Sequence, residues 1–216
     1  MLRLVLINPN TNTATTETMR AIAQEAAPAD IRIEGMTVAH GAPLITDATA
    51  LSVAAGAVAE LAEGLLADRP AGVIVSAFGD PGLGALRERL PCPVTGIAEA
   101  GMLEAAEGGR AFAVVTTTPD LVSSIAAKAQ AYGHAQSFRG VTLTKGEVHA
   151  VMSDPQRLVE ALAEACAEAI ERLGAQALVI GGGPLALAAK ALEARFPVPL
   201  IAPIPAAVRL TLKRSG

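Results

Sequence analysis

Val73-Ile74-Val75-Ser76-Ala77-Phe78-Gly79-Asp80-Pro81, running on to Leu90-Pro91-Cys92-Pro93-Val94, has a second version later in the chain. That version is Leu178-Val179-Ile180-Gly181-Gly182-Gly183-Pro184, running on to Phe196-Pro197-Val198-Pro199-Leu200. In each block a short apolar run meets Gly and Pro, a helical stretch follows, and a Pro-flanked apolar run closes the unit. A continuous apolar run bounded by turn residues is the pattern of a strand buried on both faces of a parallel sheet. The offset between the blocks is roughly a hundred residues, too long for a solenoid repeat. The chain therefore reads as two pseudo-symmetric α/β lobes.

The flanking sequence extends this plan. Residues 4–7 are a buried strand stopped by Asn8-Pro9-Asn10-Thr11, and 15–26 have helical composition and spacing. Residues 31–38 alternate with period two, 48–67 read as one long helix, 72–76 as a strand, 83–89 as a helix and 94–97 as a short strand. In the second half, 111–115 are followed by Thr116-Thr117-Thr118-Pro119, which mirrors the opening motif, and 141–143 resemble a period-two strand. Residues 155–173 form a long helix with Ser153 or Asp154 as its cap and Pro155 in its first turn. A strand at 177–180, a helix at 185–194 and the apolar run 196–201 complete it. The alternation predicts a mainly parallel sheet flanked by helices in each lobe. The first lobe spans 1–100, with 206–216 packing back onto it, and the second spans 101–205.

Composition narrows the classes. The 216 residues are 51% apolar and 18% charged, so a sizeable core is available; with 2% aromatics, Ala, Val, Leu and Ile must fill it. A net charge of −4 supplies no basic footprint and argues against nucleic acid as a partner. Two cysteines, Cys92 and Cys166, make no disulfide framework, and a reduced cytoplasmic setting fits them. The N-terminus runs straight into 4–7 without the n-region of a signal peptide. Apolar runs are broken by Gly, Pro or charge before about 18 residues, so no membrane span is expected. His40, Asp47 and His149 are too scattered to propose a metal site.

Ligands of open α/β sheets sit beyond the carboxyl ends of the strands. Four such ends carry unusual chemistry: Asn8 to Thr11, Ser76 to Asp80, Thr116 to Thr118, and Gly181 to Gly183. Two come from each lobe and are expected to face one another across a cleft. Carboxamides, hydroxyls and glycine N–H groups suit a small ligand bearing a carbonyl or carboxylate, and the lack of Lys or Arg in these loops argues against polyphosphate. Capping and turn formation are the competing reading of Asn8, Asn10, Thr116 and Thr117, and alone could explain Thr11 or Asp120.

Ile7-Asn8-Pro9-Asn10-Thr11, Phe78-Gly79-Asp80-Pro81-Gly82-Leu83, Val94-Thr95-Gly96-Ile97-Ala98-Glu99-Ala100 and Val114-Val115-Thr116-Thr117 stand in order along nearly the whole chain. They resemble the signatures of the aspartate/glutamate/hydantoin racemase superfamily, in its hydantoin and allantoin racemase branch. The resemblance implies two pseudo-symmetric lobes with the site between them, no cofactor, and a cysteine from each lobe that moves a proton at a carbon beside a carbonyl. Here Ala77 stands at the first cysteine position and Gly182 at the second, so a two-thiol mechanism is not possible. Cys92 and Cys166 read as small buried hydrophobes.

Three side chains are candidates to replace the thiols: Asp80, Ser76 and His149. Glu99 and Asp47 are further ionisable groups near the strand ends. Asp80 reads as a base or as an acceptor that orients its loop, Ser76 as a weak acid lacking a partner base, and His149 as a cleft residue or a surface histidine. Ligand contacts are expected from Asn8, Asn10, Thr11, His40, Phe78, Gly79, Thr116, Thr117, Gly182 and Gly183; His134 reads as a solvated turn residue. The small residues at 77 and 182 predict a roomier cleft than a two-cysteine relative has. The chain is expected to be a cofactor-independent isomerase with altered chemistry; the alternatives are a non-catalytic binder, or a decarboxylase or cyclic-amide hydrolase on the same fold. A homo-oligomer is expected.

Overall fold

The structure, a computed structural model, describes Leu2 to Ser215. The chain divides into two compact units, Met1–Ala100 with Ile204–Gly216, and Gly101–Pro203. In the first unit the chain runs β1 (Leu2–Asn8), α1 (Thr13–Ala26), β2 (Ile31–Thr37), α2 (Ala48–Glu60), α3 (Ala62–Asp68), β3 (Gly72–Val75), α4 (Leu83–Arg89) and β4 (Val94–Gly96). Helix α5 (Ile97–Ala105) carries the chain onward. The second unit runs β5 (Phe112–Thr116), α6 (Val122–Ala131), β6 (Phe138–Leu143), α7 (Val148–Met152), α8 (Pro155–Leu173), β7 (Ala177–Ile180), α9 (Ala186–Leu192) and β8 (Leu200–Ile201). Helix α10 (Pro203–Ser215) lies largely in the first unit.

Both sheets are parallel and share one order, β2-β1-β3-β4 and β6-β5-β7-β8. The repeat read in the sequence is thus the third strand of each sheet with the helix and strand that follow it. In both sheets the order reverses between the first and third strands. Chains leaving those two strands turn to opposite faces, which opens a crevice at their carboxyl ends. Register puts Ile7 beside Val75 and Val115 beside Ile180, so the crevices are rimmed by Asn8 with Ser76 and by Thr116 with Gly181.

Apolar side chains on one face of each sheet hold a set of helices. In the first unit Val5, Ile7, Val73 and Val75 pack with Ala57, Val58, Leu65, Leu83 and Leu86. In the second, Val115, Leu178 and Ile180 pack with Leu162, Cys166, Ala169, Leu185 and Leu192. Alanines at many of these contacts let helices lie close to the sheets without aromatic filler.

Several elements differ from the sequence expectation. The single helix over 48–67 is two, because the chain tightens at Leu61, whose N–H reaches Val58 O at 3.2 Å in an i to i−3 bond. Neither Gly nor Pro marks that point. Helix α5 starts directly after β4 because Asp80, distant in sequence, accepts hydrogen bonds from its first turn. The run 196–201 yields a strand at Leu200–Ile201 alone; Pro197 and Pro199 have no N–H to give a ladder. Asp154 is the cap of α8, accepting from the N–H groups of Gln156 and Arg157. The continuous stretch Ala48–Asp68 has a mean hydropathy of 1.5 and is long enough by that measure to cross a membrane, contrary to the reading of its runs as too broken. Its buried positions, Ala54, Ala57, Val58, Ala62 and Leu65, form the one-sided stripe of a helix laid on a core.

Helix α10 is pinned to the first unit by charge as well as packing. Arg214 grips the Glu99 carboxylate with two bonds of 2.9 Å, and Arg87 adds a third of 2.7 Å. Burial pushes the Glu99 carboxyl up, but the Arg214 hydrogen bond and the charges of Arg87 and Arg214 outweigh it and hold the group below its ordinary 4.5. A folded-state value below the unfolded one means this clamp stabilises fully above the ordinary glutamate value and is lost as pH falls through the depressed one. Glu99→Gln is therefore expected to cost roughly 1–2 kcal/mol at neutral pH. Thermal melts across a pH series should show the gap between variant and parent closing below pH 4.5.

Candidate active site

At the first strand tip, Asn8 is fully buried, and its Nδ2 lies within hydrogen-bond reach of Asn10 Oδ1 (2.9 Å), Thr16 Oγ1 (2.9 Å) and Asn12 O (3.0 Å). Asn8 Oδ1 accepts the Asn10 N–H, and Asn10 Oδ1 accepts the Asn12 N–H. Local side chain-to-backbone bonds of this kind fold Asn8-Pro9-Asn10 into a tight turn. The cap of α1 is Asn12, which accepts from Thr15 N–H, and not Thr11, whose N–H donates to Ala42 O at 3.1 Å. Asn10 Nδ2 donates to no group among the described residues and, since no fully buried side-chain polar atom there lacks a partner, it reaches the surface.

At the third strand tip, Asp80 N–H closes a turn onto Ala77 O at 3.0 Å. The Asp80 carboxylate, 1% exposed, accepts Ala98 N–H at 2.9 Å and Glu99 N–H at 2.8 Å. It thereby fastens the loop after β3 to the start of α5. Two backbone peculiarities serve this contact. Asp80 adopts a left-handed φ of 49°, which Asp tolerates better than most residues. Gly96 has no Cβ, and one built there would stand 2.1 Å from Asp80 Cγ. Ser76 Oγ is buried and donates to Met19 Sδ at 3.1 Å.

This loop leaves two N–H groups uncommitted. Phe78 and Gly79 are buried, and neither backbone N–H has a hydrogen-bond partner among the described residues. Two adjacent N–H groups without a protein partner at a strand tip are available to donate to an oxygen atom.

The second unit repeats the chemistry with different parts. Thr116 Oγ1 donates to Gly181 O at 2.8 Å, tying the β5 tip to the β7 tip. Its one proton being used there, Thr118 is the donor in their 3.2 Å contact. Thr117 Oγ1 lies 3.8 Å from Met152 Sδ. The N–H groups of Thr117, Thr118 and Gly183, all buried residues, have no partner among the described residues.

Ala77 and Gly182 occupy the same place in their units: each follows the third strand and is half-buried between two buried neighbours. The expectation of extra room at 182 is corrected, because a Cβ built there would meet Leu185 Cγ and Cδ1 at 3.0 Å. Leu185 has closed over the glycine. Three of the remaining candidates have their side chains engaged elsewhere. His40 is exposed and pairs with Glu60 at 2.9 Å. Asp47 caps α2 through Ala50 N–H, and Glu99 is held by its two arginines. His149 is exposed in the first turn of α7, beyond the carboxyl end of β6, where Glu147 accepts the N–H groups of His149 and Ala150. His134 is half-buried, its ring edge-on to Phe112, and that burial lowers its pKa. Asp120 sits in a short 3-10 turn that lacks a side-chain cap.

Neither thiol lies at a strand tip. Cys92 precedes β4, and Cys166 is buried in α8 with its pKa pushed up to about 12. Among the described residues, no group of three His, Cys, Asp or Glu side chains could hold a metal. Sequence reasoning missed Leu185, Gly96 and Asn12, of which Asn12 alone carried a signal, a capping residue just ahead of a helical run.

The chain is matched from residue 4 to 211 by the Asp/Glu/hydantoin racemase family model. It belongs to that family. A hydantoin racemase of Pseudomonas sp. (strain NS671) is 30% identical over 96% of this chain and 84% of its own. A hydantoin racemase of Paenarthrobacter aurescens is 27% identical over 97% of this chain and 89% of its own. The solved allantoin racemase from Klebsiella pneumoniae superposes with a TM-score of 0.92 at 33% identity, covering 99% of this chain and 87% of that one.

Two outcomes test the local geometry. Asp80→Asn keeps an acceptor for one α5 N–H but turns an NH2 toward the other, so equilibrium denaturation should show a loss of about 1.5–3 kcal/mol; an unchanged stability would leave Asp80 free of this structural duty. Gly182→Ala should cost about 1–3 kcal/mol through its crowding of Leu185. In a double-mutant cycle with Leu185→Ala the two costs should fall short of additivity by about 0.5 kcal/mol or more.

Proposed function

We propose that this protein is a cofactor-independent isomerase that moves a proton at the carbon beside a carbonyl, on a small hydantoin-like or amino-acid-derived compound, without using cysteine. The observation that carries this reading is that each unit leaves backbone N–H groups uncommitted at its strand tips, Phe78 and Gly79 following position 77 in the first, and Thr117, Thr118 and Gly183 in the second, where Gly183 follows position 182. Removing a proton next to a carbonyl puts negative charge on its oxygen, and fixed N–H donors stabilise that charge without reorganising. Asn10, through its surface-reaching amide, adds a neutral donor of the same kind, and the relatives named hydantoin and allantoin racemases supply the substrate class.

The proton carrier in this reading is His149. Asp80 is bound to two helix N–H groups and Ser76 to a methionine sulfur, whereas the His149 ring makes no hydrogen bond among the described residues. A homo-oligomer belongs to the same reading, supported by the apolar surface that Val53 and Leu66 leave exposed.

A second reading, a binder without turnover, is favoured by the engagement of Asp80 and Ser76 and by the inert side chains at 77 and 182. One experiment separates them. Chiral 5-substituted hydantoins, allantoin, aspartate and glutamate are incubated with the protein in D2O, and the α-proton is followed by NMR. Exchange is expected, with loss of about 100-fold or more in rate for His149→Ala and none after alkylation of the thiols. Binding without exchange would establish the second reading; carbon dioxide release or ring opening would point to a decarboxylase or a hydrolase, and inhibition by alkylation would defeat the cysteine-free mechanism.

A further inference from the structure

The uncommitted N–H groups of Phe78 and Gly79 have fixed positions only if the loop after β3 is fixed. That loop is held at its far end by the Asp80 carboxylate on the N–H groups of Ala98 and Glu99, at 2.9 and 2.8 Å. The place of those two N–H groups depends in turn on where α5 begins. Residue 99 is therefore fastened twice: its backbone holds Asp80, and its side chain is held by Arg214 and Arg87. Arg214 also donates to Thr95 Oγ1 at 3.3 Å, on the fully buried strand residue two places before Ile97. Arg87 reaches back to Val94 O at 2.8 and 2.9 Å, closing the far side of the same strand–helix junction.

We infer that Arg214, in the last helix, is a positioning residue for the first-unit donor pair, acting through Glu99 and Asp80 on Phe78 and Gly79. The planar guanidinium spans both carboxylate oxygens of Glu99, a geometry that fixes orientation as well as distance. Glu99 side-chain exposure of 13% against 34% for Arg214 places the carboxylate in the shielded half of the pair, where its direction matters most. The chain from Arg214 to Gly79 runs through the hydrogen bonds of Arg214 to Glu99 and of Glu99 N–H to Asp80, and from Asp80 along the backbone. Its consequence for ligand binding rests on the reading given under Proposed function; its structural part does not.

The test uses the ligand-free, full-length protein with backbone-labelled amides. Arg214→Met should shift the Phe78 and Gly79 amide resonances and speed exchange at the Ala98 and Glu99 amides by about tenfold. Amides of Val114 and Val179 in the second unit should exchange as in the parent once any change in global stability is subtracted. Arg214→Lys keeps the charge but not the planar two-nitrogen grip and should recover part of the effect, while Arg214→Met combined with Asp80→Asn should add little to Asp80→Asn alone. If Arg214→Met proves too unstable, Glu99→Gln interrupts the same chain. A variant that lowers the melting temperature while leaving the Phe78, Gly79, Ala98 and Glu99 amides at parental shifts and rates would overturn the inference. Failure of every variant, and of the parent, to exchange a substrate proton in D2O would instead overturn the functional reading and leave this one standing.

Discussion

A carboxylate moved out of water without partners would cost several kcal/mol, or would take up a proton to escape the cost. Asp80 is 1% exposed and bears that burden through the two N–H groups it accepts from α5. Those donors lie at a helix N-terminus, where the peptide dipoles also favour negative charge. The arrangement is reciprocal: the helix start is capped by a residue from another loop, and the loop is anchored by a helix it does not belong to. Gly96 must be glycine to let the carboxylate in, and Asp80 must accept a left-handed backbone to reach it. Much of what is distinctive around the first-unit tip follows from that one contact.

The second unit meets the same topological demand without a carboxylate. There the first and third strand tips are joined directly, by the Thr116 hydroxyl on Gly181 O. A neutral bond of this sort contributes about 1 kcal/mol and needs no counter-charge. The two units thus share sheet order and the placement of residues 77 and 182, yet differ in how the adjoining loop is secured. One holds its donors with an ion and a helix, the other with a hydroxyl, a short 3-10 turn and the Leu185 side chain packed over a glycine. Shared topology with unlike fastenings is what independent substitution on a duplicated plan produces. It also leaves the donor groups in both units as backbone N–H, which no substitution short of proline removes.

How much of this was legible in the sequence depended on the range of the forces involved. Strands at Gly72–Val75 and Ala177–Ile180, and helices at Leu83–Arg89 and Pro155–Leu173, are set by local runs and local caps, and their outlines could be read directly. The parallel two-lobed plan followed from the repeat. Helix α5 was invisible because its cap lies well upstream in the chain, and the turn at Leu61 because nothing in its composition interrupts a helix. At the site, the strand tips were legible from Asn8, Asp80, Thr116 and the glycine triplet, since polar residues after apolar runs stand out. Which of their atoms are spent on the fold was not, because that depends on partners such as Met19 for Ser76 and Ala98 for Asp80, brought together by tertiary structure alone.

That distinction bears on chemistry. A residue can act on a ligand with the atoms the fold leaves over, and at these tips the fold consumes the conspicuous side chains: both Asp80 oxygens, the Ser76 proton, the Thr116 proton and three of the four polar roles of the Asn8–Asn10 pair. What remains is chiefly neutral: peptide N–H groups, the Asn10 amide and the lone pairs of hydroxyl oxygens such as those of Ser76 and Thr117. Donors lower the energy of an enolate but cannot take its proton, so the groups left over at these tips are suited to the first task and not to the second. In a site with a thiol at 77 or 182, both tasks would sit side by side. With Ala and Gly there, neither position can carry a proton, and the conspicuous side chains of the tight turns are already bound. The His149 ring, in the exposed first turn of α7, makes no hydrogen bond among the described residues, and Glu147 accepts the backbone N–H groups of that turn.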